Sequence, residues 1–451
     1  MTTIIGYILP FLIGIIVLGI LVFVHELGHF ITAKLCHVRV LAFSLGFGKP
    51  LLTIRRGDTE YRLSAIPFGG YVQMAGENPE DETSGAPDEL PSRPRWQRAL
   101  IMANGPVANV LLAFVLLWVV YVSGVEIPQY TQHTVIGTVE EGSPAARAGL
   151  RHNDSIVSIN GNTVSDWDDI GTTLTLNQKS CTVRFVRNGT VHTVTLRNDS
   201  LPTRDNPLGG YTAGLSPALP PVVGSVEEGS AADSAGLATG DSIIRIDTAA
   251  VRAWADVRQK VGAYDSTQHP GGLPVTFVRN DSVHSLVLRP RYHDDAGRFL
   301  IGIAPSGGKT ITMRYNPAAA IGQALRKSGE YASLLFVSLQ KLITREVPAN
   351  QISGPVTIVQ VSGTFALAGL IPILNFMALV SINLAIINLL PLVITDGGQL
   401  LFLGIEAIRG RPLPLKYQLI ITRAAIVFFI ALFIVITLND IRRIPYFFNL
   451  N

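Results

Sequence analysis

The stretch that most constrains this chain is Val22-Phe23-Val24-His25-Glu26-Leu27-Gly28-His29-Phe30, an H-E-x-x-H pattern closing an apolar run from Ile4 to Val24. A run of that length can cross a bilayer as a helix, at roughly 20 residues per crossing. On a helix, His25 and His29 stand one turn apart on one face, where two imidazoles grip a single zinc ion. Glu26 then lies beside the ion, placed to take a proton from an activated water. The five-residue pattern is common by chance, so its setting carries the weight. Three ionisable side chains are costly at the end of a membrane-length segment, and such residues mark function. The plainer alternative is a helix leaving the membrane, with His and Glu among the headgroups.

Composition supports the membrane setting. Only 15% of the 451 residues are charged and 48% are hydrophobic, against about 25% charged in soluble domains. The length implies several domains. A net charge of +3 gives no argument for nucleic acid as a partner. Cys36 and Cys181 are far apart and form no C-x-x-C, so any zinc must use histidine and carboxylate ligands. No Lys or Arg precedes the first apolar run and no small-residue cleavage site follows it, which reads as a retained span rather than a signal peptide.

The first helix is expected to continue through Lys34; Gly6, Pro10, Gly14 and Gly19 interrupt its apolar run, the small residues among them allowing close helix approach. Between Arg39 and Glu77, Leu51–Arg55 and Glu60–Ile66 flank a turn at Arg56-Gly57-Asp58-Thr59, and Gly69–Met74 reads as another strand. Together with the glycine-rich Phe43–Gly48 they suggest a small membrane-associated β-element, the alternative being a plain cytoplasmic hairpin. Residues 77 to 93 read as a flexible loop. Further spans are expected at Ala99–Val122, Phe365–Val393 and Tyr417–Leu438. Residues 317 to 345 read as an amphipathic helix and 346 to 363 as irregular. Lys34, Arg39, Lys49, Arg55, Arg56, Arg93, Arg95 and Arg98 between the first two spans, and Arg409, Arg411 and Lys416 between the last two, place those loops in the cytoplasm. The H-E-x-x-H motif then lies near the cytoplasmic face and the C-terminus outside, although Arg442 and Arg443 run against the latter.

Residues 126 to 310 lack membrane-length apolar runs and contain an internal repeat. Val135–Ser143 matches Val222–Ser230, Ala148-Gly149-Leu150 matches Ala235-Gly236-Leu237, and Val183–Asn188 matches Val275–Asn280. The repeated pattern resembles PDZ domains of the type found in bacterial proteases. That implies two tandem modules, each with a groove for an extended peptide, or else two folded spacers without ligand.

A hydrolytic zinc needs three protein ligands and one open position. The best candidate for the third is Asp396, within Asn388-Leu389-Leu390-Pro391-Leu392-Val393-Ile394-Thr395-Asp396-Gly397-Gly398-Gln399. Alone, Asp-Gly-Gly is most often an ordinary turn. Here it follows a span running inward and reaches the depth of His25 and His29, and the glycines would let the backbone come close to a metal.

With this segment the chain resembles the site-2 protease family of intramembrane zinc metalloproteases, in the branch with PDZ modules between the second and third spans. Asn104-Gly105-Pro106 through Asn109 resembles that family's second-span motif, and Gly46-Phe47-Gly48 its membrane-reentrant β-loop. The family pattern N-x-x-P-x-P-x-L-D-G is altered: Val393 replaces the second proline, Thr395 the leucine, and Gln399 stands where a histidine is common. The resemblance implies zinc on His25, His29 and Asp396, Glu26 as catalytic residue, and Gly46, Phe47, Gly48, Asn383 and Asn388 as substrate-binding residues. It implies an α-helical polytopic membrane protein with four transmembrane helices, two inserted extracytoplasmic PDZ domains of α+β type and the small β-element. The expected parts are residues 1–36 (first span), 37–98 (β-loop and linker), 99–125 (second span), 126–216 and 217–308 (PDZ domains), 309–364 (amphipathic helix and loop), 365–400 (third span with Asp396) and 401–451 (loop, fourth span and tail). It further implies a bacterial inner-membrane protein with periplasmic PDZ domains. Its substrates would be single-span membrane proteins, such as a trimmed anti-sigma factor or signal-peptide remnants, with lipid around it and peptides as candidate PDZ ligands. The intact H-E-x-x-H with a depth-matched Asp396 argues against an inactive membrane-helix chaperone, which loss of Glu26 would favour, and against an anchored PDZ scaffold.

Overall fold

The computed structural model describes residues 2–77, 84–177, 180–197, 213–293, 298–344 and 354–448. The chain divides into two compact units, residues 126–313 and the flanking residues 1–125 with 314–451.

In the flanking unit, α1 (Thr2–Leu35) carries the H-E-x-x-H motif. Bilayer hydrocarbon offers no partner for backbone polar groups, so a segment this apolar closes its hydrogen bonds within a helix. His25 and His29 are buried on one side of α1, while Ile16, Ile20 and Ile31 are exposed on the other. The chain then forms β1 (Val40–Arg56) and β2 (Thr59–Met74). Phe43, Ser44 and Leu45 each face two partners, one within Tyr61–Leu63 and one within Gly70–Val72. The hairpin therefore folds over on itself into a small sheet, bending near Gly46–Gly48. Gly70–Met74 pairs with β1 along one edge, and the Val72 N–H on its other edge reaches the Glu26 carboxylate. Of the loop expected over 77–93, residues 78–83 lie outside the described residues; Leu90–Ser92 form a single 3-10 turn. α2 (Arg95–Ser123) follows.

The inserted unit consists of two halves of the same topology. Each has a four-stranded sheet, in the first half ordered Asn162–Thr163, Ser155–Ile159, Ser180–Arg187, Thr190–Arg197, and in the second Ala249–Ala250, Ser242–Ile246, Leu273–Arg279, Ser282–Leu288. The first half adds α3 (Pro144–Arg147) and α4 (Trp167–Leu176), the second α5 (Ala231–Ala235) and α6 (Trp254–Gly262). Matched positions do matched work. Ile156, Ile159 and Phe185 fill one core, and Ile243, Ile246 and Phe277 the other, each side chain contributing about 1.5–3 kcal/mol by burial. Ser143 and Ser230 cap α3 and α5 by accepting a backbone N–H. The residues between the halves, 198–212, lie outside the described residues, as do 294–297.

A buried ion pair is also repeated. Asp154 accepts from Arg187 Nε and Nη2, both at 2.7 Å, and Asp241 from Arg279 Nε and Nη2 at the same distance. Each arginine also donates to a backbone carbonyl, of Gly149 or Gly236, and lies over a phenylalanine ring, Phe185 or Phe277.

Back in the flanking unit, α7 (Pro317–Ile343) is capped by Asn316 and ties to the next long helix through Tyr331, whose hydroxyl donates to Asn375. Arg345 and residues 346–353, expected as helix end and loop, lie outside the described residues. The segment from 355, expected to be irregular, is helical: α8 (Pro355–Ala368) precedes α9 (Leu370–Leu389). The break between them is Gly369, at φ 126°, where a side chain would be strained. The span expected at 365–393 is thus α9, with Phe365–Ala368 belonging to the helix before it. Beyond a turn, α10 (Asp396–Arg409) replaces the first part of the loop expected after residue 400, and α11 (Leu415–Phe448) follows. Asp440 in α11 is buried and accepts from Gly354 N and Thr357 N, so it neutralises the open N–H groups at the start of α8. Among the described residues, four helices are long and apolar enough to cross a membrane, at Leu9–Leu35, Arg95–Ser123, Leu370–Leu389 and Leu415–Asp440. The chain is read as a membrane protein.

The Asp241 pair gives a pH signature. Burial works to raise this carboxyl, but hydrogen bonds from Arg279 and from Ala238 N–H outweigh it and hold it below the usual carboxylate range. Folding therefore gains from the charged form above the unfolded carboxylate value of about 3.9 and loses that gain as pH falls through the depressed native value. Trp254 is buried in the same half. Its fluorescence in the whole protein should report acid unfolding of this half, and Asp241→Asn should destabilise the half at neutral pH while weakening its acid dependence.

Candidate metal centre

Three side chains converge between α1 and the start of α10. His25 Nε2 lies 3.1 Å from Asp396 Oδ2, and His29 Nε2 lies 3.3 Å from Asp396 Oδ1. The two Nε2 atoms are 3.2 Å apart. Among the described residues this is the cluster of metal-ligating type. His29 Nδ1 is 2.8 Å from the carbonyl of Ile101. A carbonyl only accepts, so Nδ1 carries a proton, and the neutral ring then turns its Nε2 lone pair toward another ring nitrogen and a carboxylate. Asp396 Oδ2 is itself buried without a hydrogen-bond donor. Such an arrangement requires positive charge at its centre. A tetrahedral ion with bonds of about 2.0–2.1 Å sets its donor atoms about 3.3 Å apart, which is the spacing seen. Two imidazoles and a carboxylate form a suitable donor set for zinc, so the residues fit the metal.

The surrounding helices fix these donors. Gly105 of α2 lies flat against the His29 ring, where an added Cβ would collide with the imidazole, and Gly28 of α1 meets the carbonyl of Asn104 in the same way. Thr32 donates to the Gly28 carbonyl and accepts from Asn104, closing the contact between the helices. Asn109, fully buried, sets its amide 3.3 Å from His25 Nδ1. Ser381 of α9 donates to the backbone carbonyl of Asn109 at 2.8 Å.

Asp396 is placed by the turn between α9 and α10. The Thr395 hydroxyl lies 2.9 Å from the Leu390 carbonyl and 2.8 Å from that of Leu392, closing the turn where the family pattern has a leucine. Gly397 and Gly398 press against the carbonyls of Leu389, Leu390 and Leu392. Their smallness thus serves the fold of this turn, whereas the sequence suggested close approach to a metal. Ten residues along α10, Glu406 takes hydrogen bonds from Arg95 and Arg98 in the first turn of α2. These two arginines, noted in the sequence only as inside-facing charge, anchor the helix that begins with Asp396.

The three donors and Glu26 open on a cleft of about 320 Å³, also lined by Tyr71, Val72, Met74, Glu77 and Asn388. Asn388 Nδ2 is 3.5 Å from His25 Nε2. Asn383 Oδ1 is buried with no donor among the described residues; it lies five residues before Asn388 on α9 and is not part of the cleft lining. Gly46, Phe47 and Gly48 do not line the cleft. They sit at the bend of the sheet, where Phe47 stacks on Tyr71 at 6.1 Å between ring centroids. Tyr71, Val72 and Glu77 were not singled out as site residues from sequence; Gly69–Met74 reads as a short strand there without showing which edge faces the cleft. A second cleft, of about 400 Å³, lies in the inserted unit between α6 and the strands Val223–Val226 and Ile303–Pro305.

The family model described as peptidase family M50 matches residues 13–432. The chain belongs to peptidase family M50. The regulator of sigma-E protease RseP of Escherichia coli is 34% identical over 452 residues, covering 95% of this chain and 98% of that protein. RseP of Salmonella typhimurium is 35% identical over 455 residues, with the same coverage. A Neisseria meningitidis protein provisionally named a zinc metalloprotease is 35% identical over 445 residues, covering 94% of this chain and 97% of its own length. As a member of M50 the chain is a metalloprotease, and the family resemblance read from the two motifs holds.

The contact of Gly105 with His29 can be tested directly. Gly105→Ala should lower metal retention by about tenfold or more in chelator competition, the cost of a displaced ligand or support. Gly322→Ala, on α7 where an added Cβ meets open space, should leave retention unchanged.

Proposed function

We propose that the chain is an intramembrane zinc endopeptidase that cleaves single-span transmembrane segments, with zinc held by His25, His29 and Asp396. The observation that carries this reading is the tetrahedral spacing of three inward-facing donors, two on the membrane-length helix α1 and one at the start of α10, with Glu26 beside them. When bound, the ion supplies Lewis acidity that activates a water and polarises the scissile carbonyl. Glu26 takes the proton of the attacking water and delivers it to the leaving amine. The Val72 N–H holds the Glu26 carboxylate toward the cleft.

A transmembrane helix keeps its carbonyls in internal hydrogen bonds, so it must be unwound before cleavage. The outer edge of Gly70–Met74 borders the cleft, with its Val72 and Met74 N–H groups held by Glu26 and Glu77, and an extended segment adds there as a strand by displacing these carboxylates. Asn383 Oδ1, buried and without a donor, and Asn388, beside His25, supply further partners for the freed backbone. Gly46-Phe47-Gly48 acts at one remove: Phe47 braces Tyr71 at the cleft wall.

The halves of the inserted unit are read as PDZ domains on the periplasmic side. The cleft beside α6 is the candidate groove for an extended peptide, with Arg258 and Arg298 on its walls. Charge placement puts the metal centre near the cytoplasmic face of a bacterial inner membrane. Trimmed anti-sigma factors and signal-peptide remnants fit the substrate class.

Purified protein in detergent, given a single-span substrate, should cleave it. Glu26→Gln should slow cleavage by about 10²–10⁴-fold while zinc stays bound, and chelation should abolish it. Equal cleavage in all three conditions would refute the mechanism.

A further inference from the structure

We propose that Asn109 is a positioning residue that fixes the tautomer of His25, its side-chain carbonyl accepting the proton of His25 Nδ1. The inference rests on the zinc reading above and adds to it a requirement on one amide.

The two histidines are supported differently. His29 has a backbone carbonyl, of Ile101, at its Nδ1, which leaves its Nε2 lone pair free. His25 must present Nε2 in the same form, because Nε2 is the atom facing Asp396 and His29. The group at His25 Nδ1 is the Asn109 amide, 3.3 Å away. With the amide nitrogen turned toward the ring, as the atoms are assigned, two costs arise. Asn109 Oδ1 is left buried with no donor, and Nδ1 must act as an acceptor. The ring proton would then sit on Nε2, inside the donor cluster, and block that ligand.

Turning the amide by 180° about its last torsion removes the tautomer conflict and moves the amide nitrogen to the place Oδ1 held. Oδ1 accepts from Nδ1–H, and the Nε2 lone pair faces the metal position. The two ends of an asparagine amide have nearly the same shape, so the packing is unchanged. Asn109 is fully buried, and its backbone is tied to α9 through Ser381, so the acceptor is delivered by a rigid helix. Partners of this kind commonly contribute 10–100-fold to metal affinity.

The test measures zinc affinity of the full-length protein in detergent by competition with a chelator. Asn109→Leu, which keeps the volume but has no acceptor, should bind zinc about 10–100-fold more weakly than wild type. Asn109→Asp, whose side chain offers only acceptors, should bind as tightly as wild type or more so. Wild-type affinity in Asn109→Leu, or a loss in Asn109→Asp equal to that in Asn109→Leu, would overturn the proposal. A wild-type protein without zinc affinity would instead overturn the zinc reading, and this inference with it. A second measurement needs no substitution at 109. In ¹⁵N spectra of zinc-free, histidine-labelled wild type, with His25 identified by its loss in His25→Gln, the neutral ring should carry its proton on Nδ1. A neutral His25 protonated on Nε2 would refute the assignment.

Discussion

Three lone-pair donors pressed together inside a membrane protein are unstable without a cation, and the flanking unit is arranged around that fact. A carboxylate wedged against two buried imidazole nitrogens is only partly solvated and lacks a compensating charge. The Ile101 carbonyl takes the one proton that His29 could otherwise turn inward. Asp396 Oδ2 has no donor of its own. A metal ion is the charge that this donor set fits.

The packing works to hold that cluster at ångström precision. Close contact of α1 and α2 depends on glycine at 28 and 105, because a side chain at either place would collide with its neighbour. The third donor arrives on another helix, and two devices set its position. The Thr395 hydroxyl closes the turn before Asp396. Arg95 and Arg98 hold α10 from the side through Glu406. In this chain a hydrogen-bonded threonine occupies the turn that the family pattern stiffens with a second proline and fills with leucine.

Much of this was legible in the amino-acid sequence, and the reasons are physical. Helical period relates His25 to His29, and membrane-length apolar runs mark the spans. Depth relates Asp396 to both. The repeat in the inserted unit was visible because matched cores and caps need matched residues, such as Ser143 and Ser230. What was not legible depends on contacts between segments distant in sequence. Gly69–Met74 reads as a short strand, but the sequence does not show that β1 and β2 fold over to leave its outer edge beside Glu26. Apolar character runs through Phe365–Leu389 and hides the break at Gly369. Asn109 was visible only as a polar residue at membrane depth, since its role lies in which atom of His25 it meets.

The most direct test of the account is the ligand shell of the metal in the wild-type protein. X-ray absorption at the zinc edge should show one zinc per chain with two imidazole nitrogens and a carboxylate oxygen at about 2.0–2.1 Å. Absence of stoichiometric zinc, or a shell containing sulfur from Cys36 or Cys181, would contradict it.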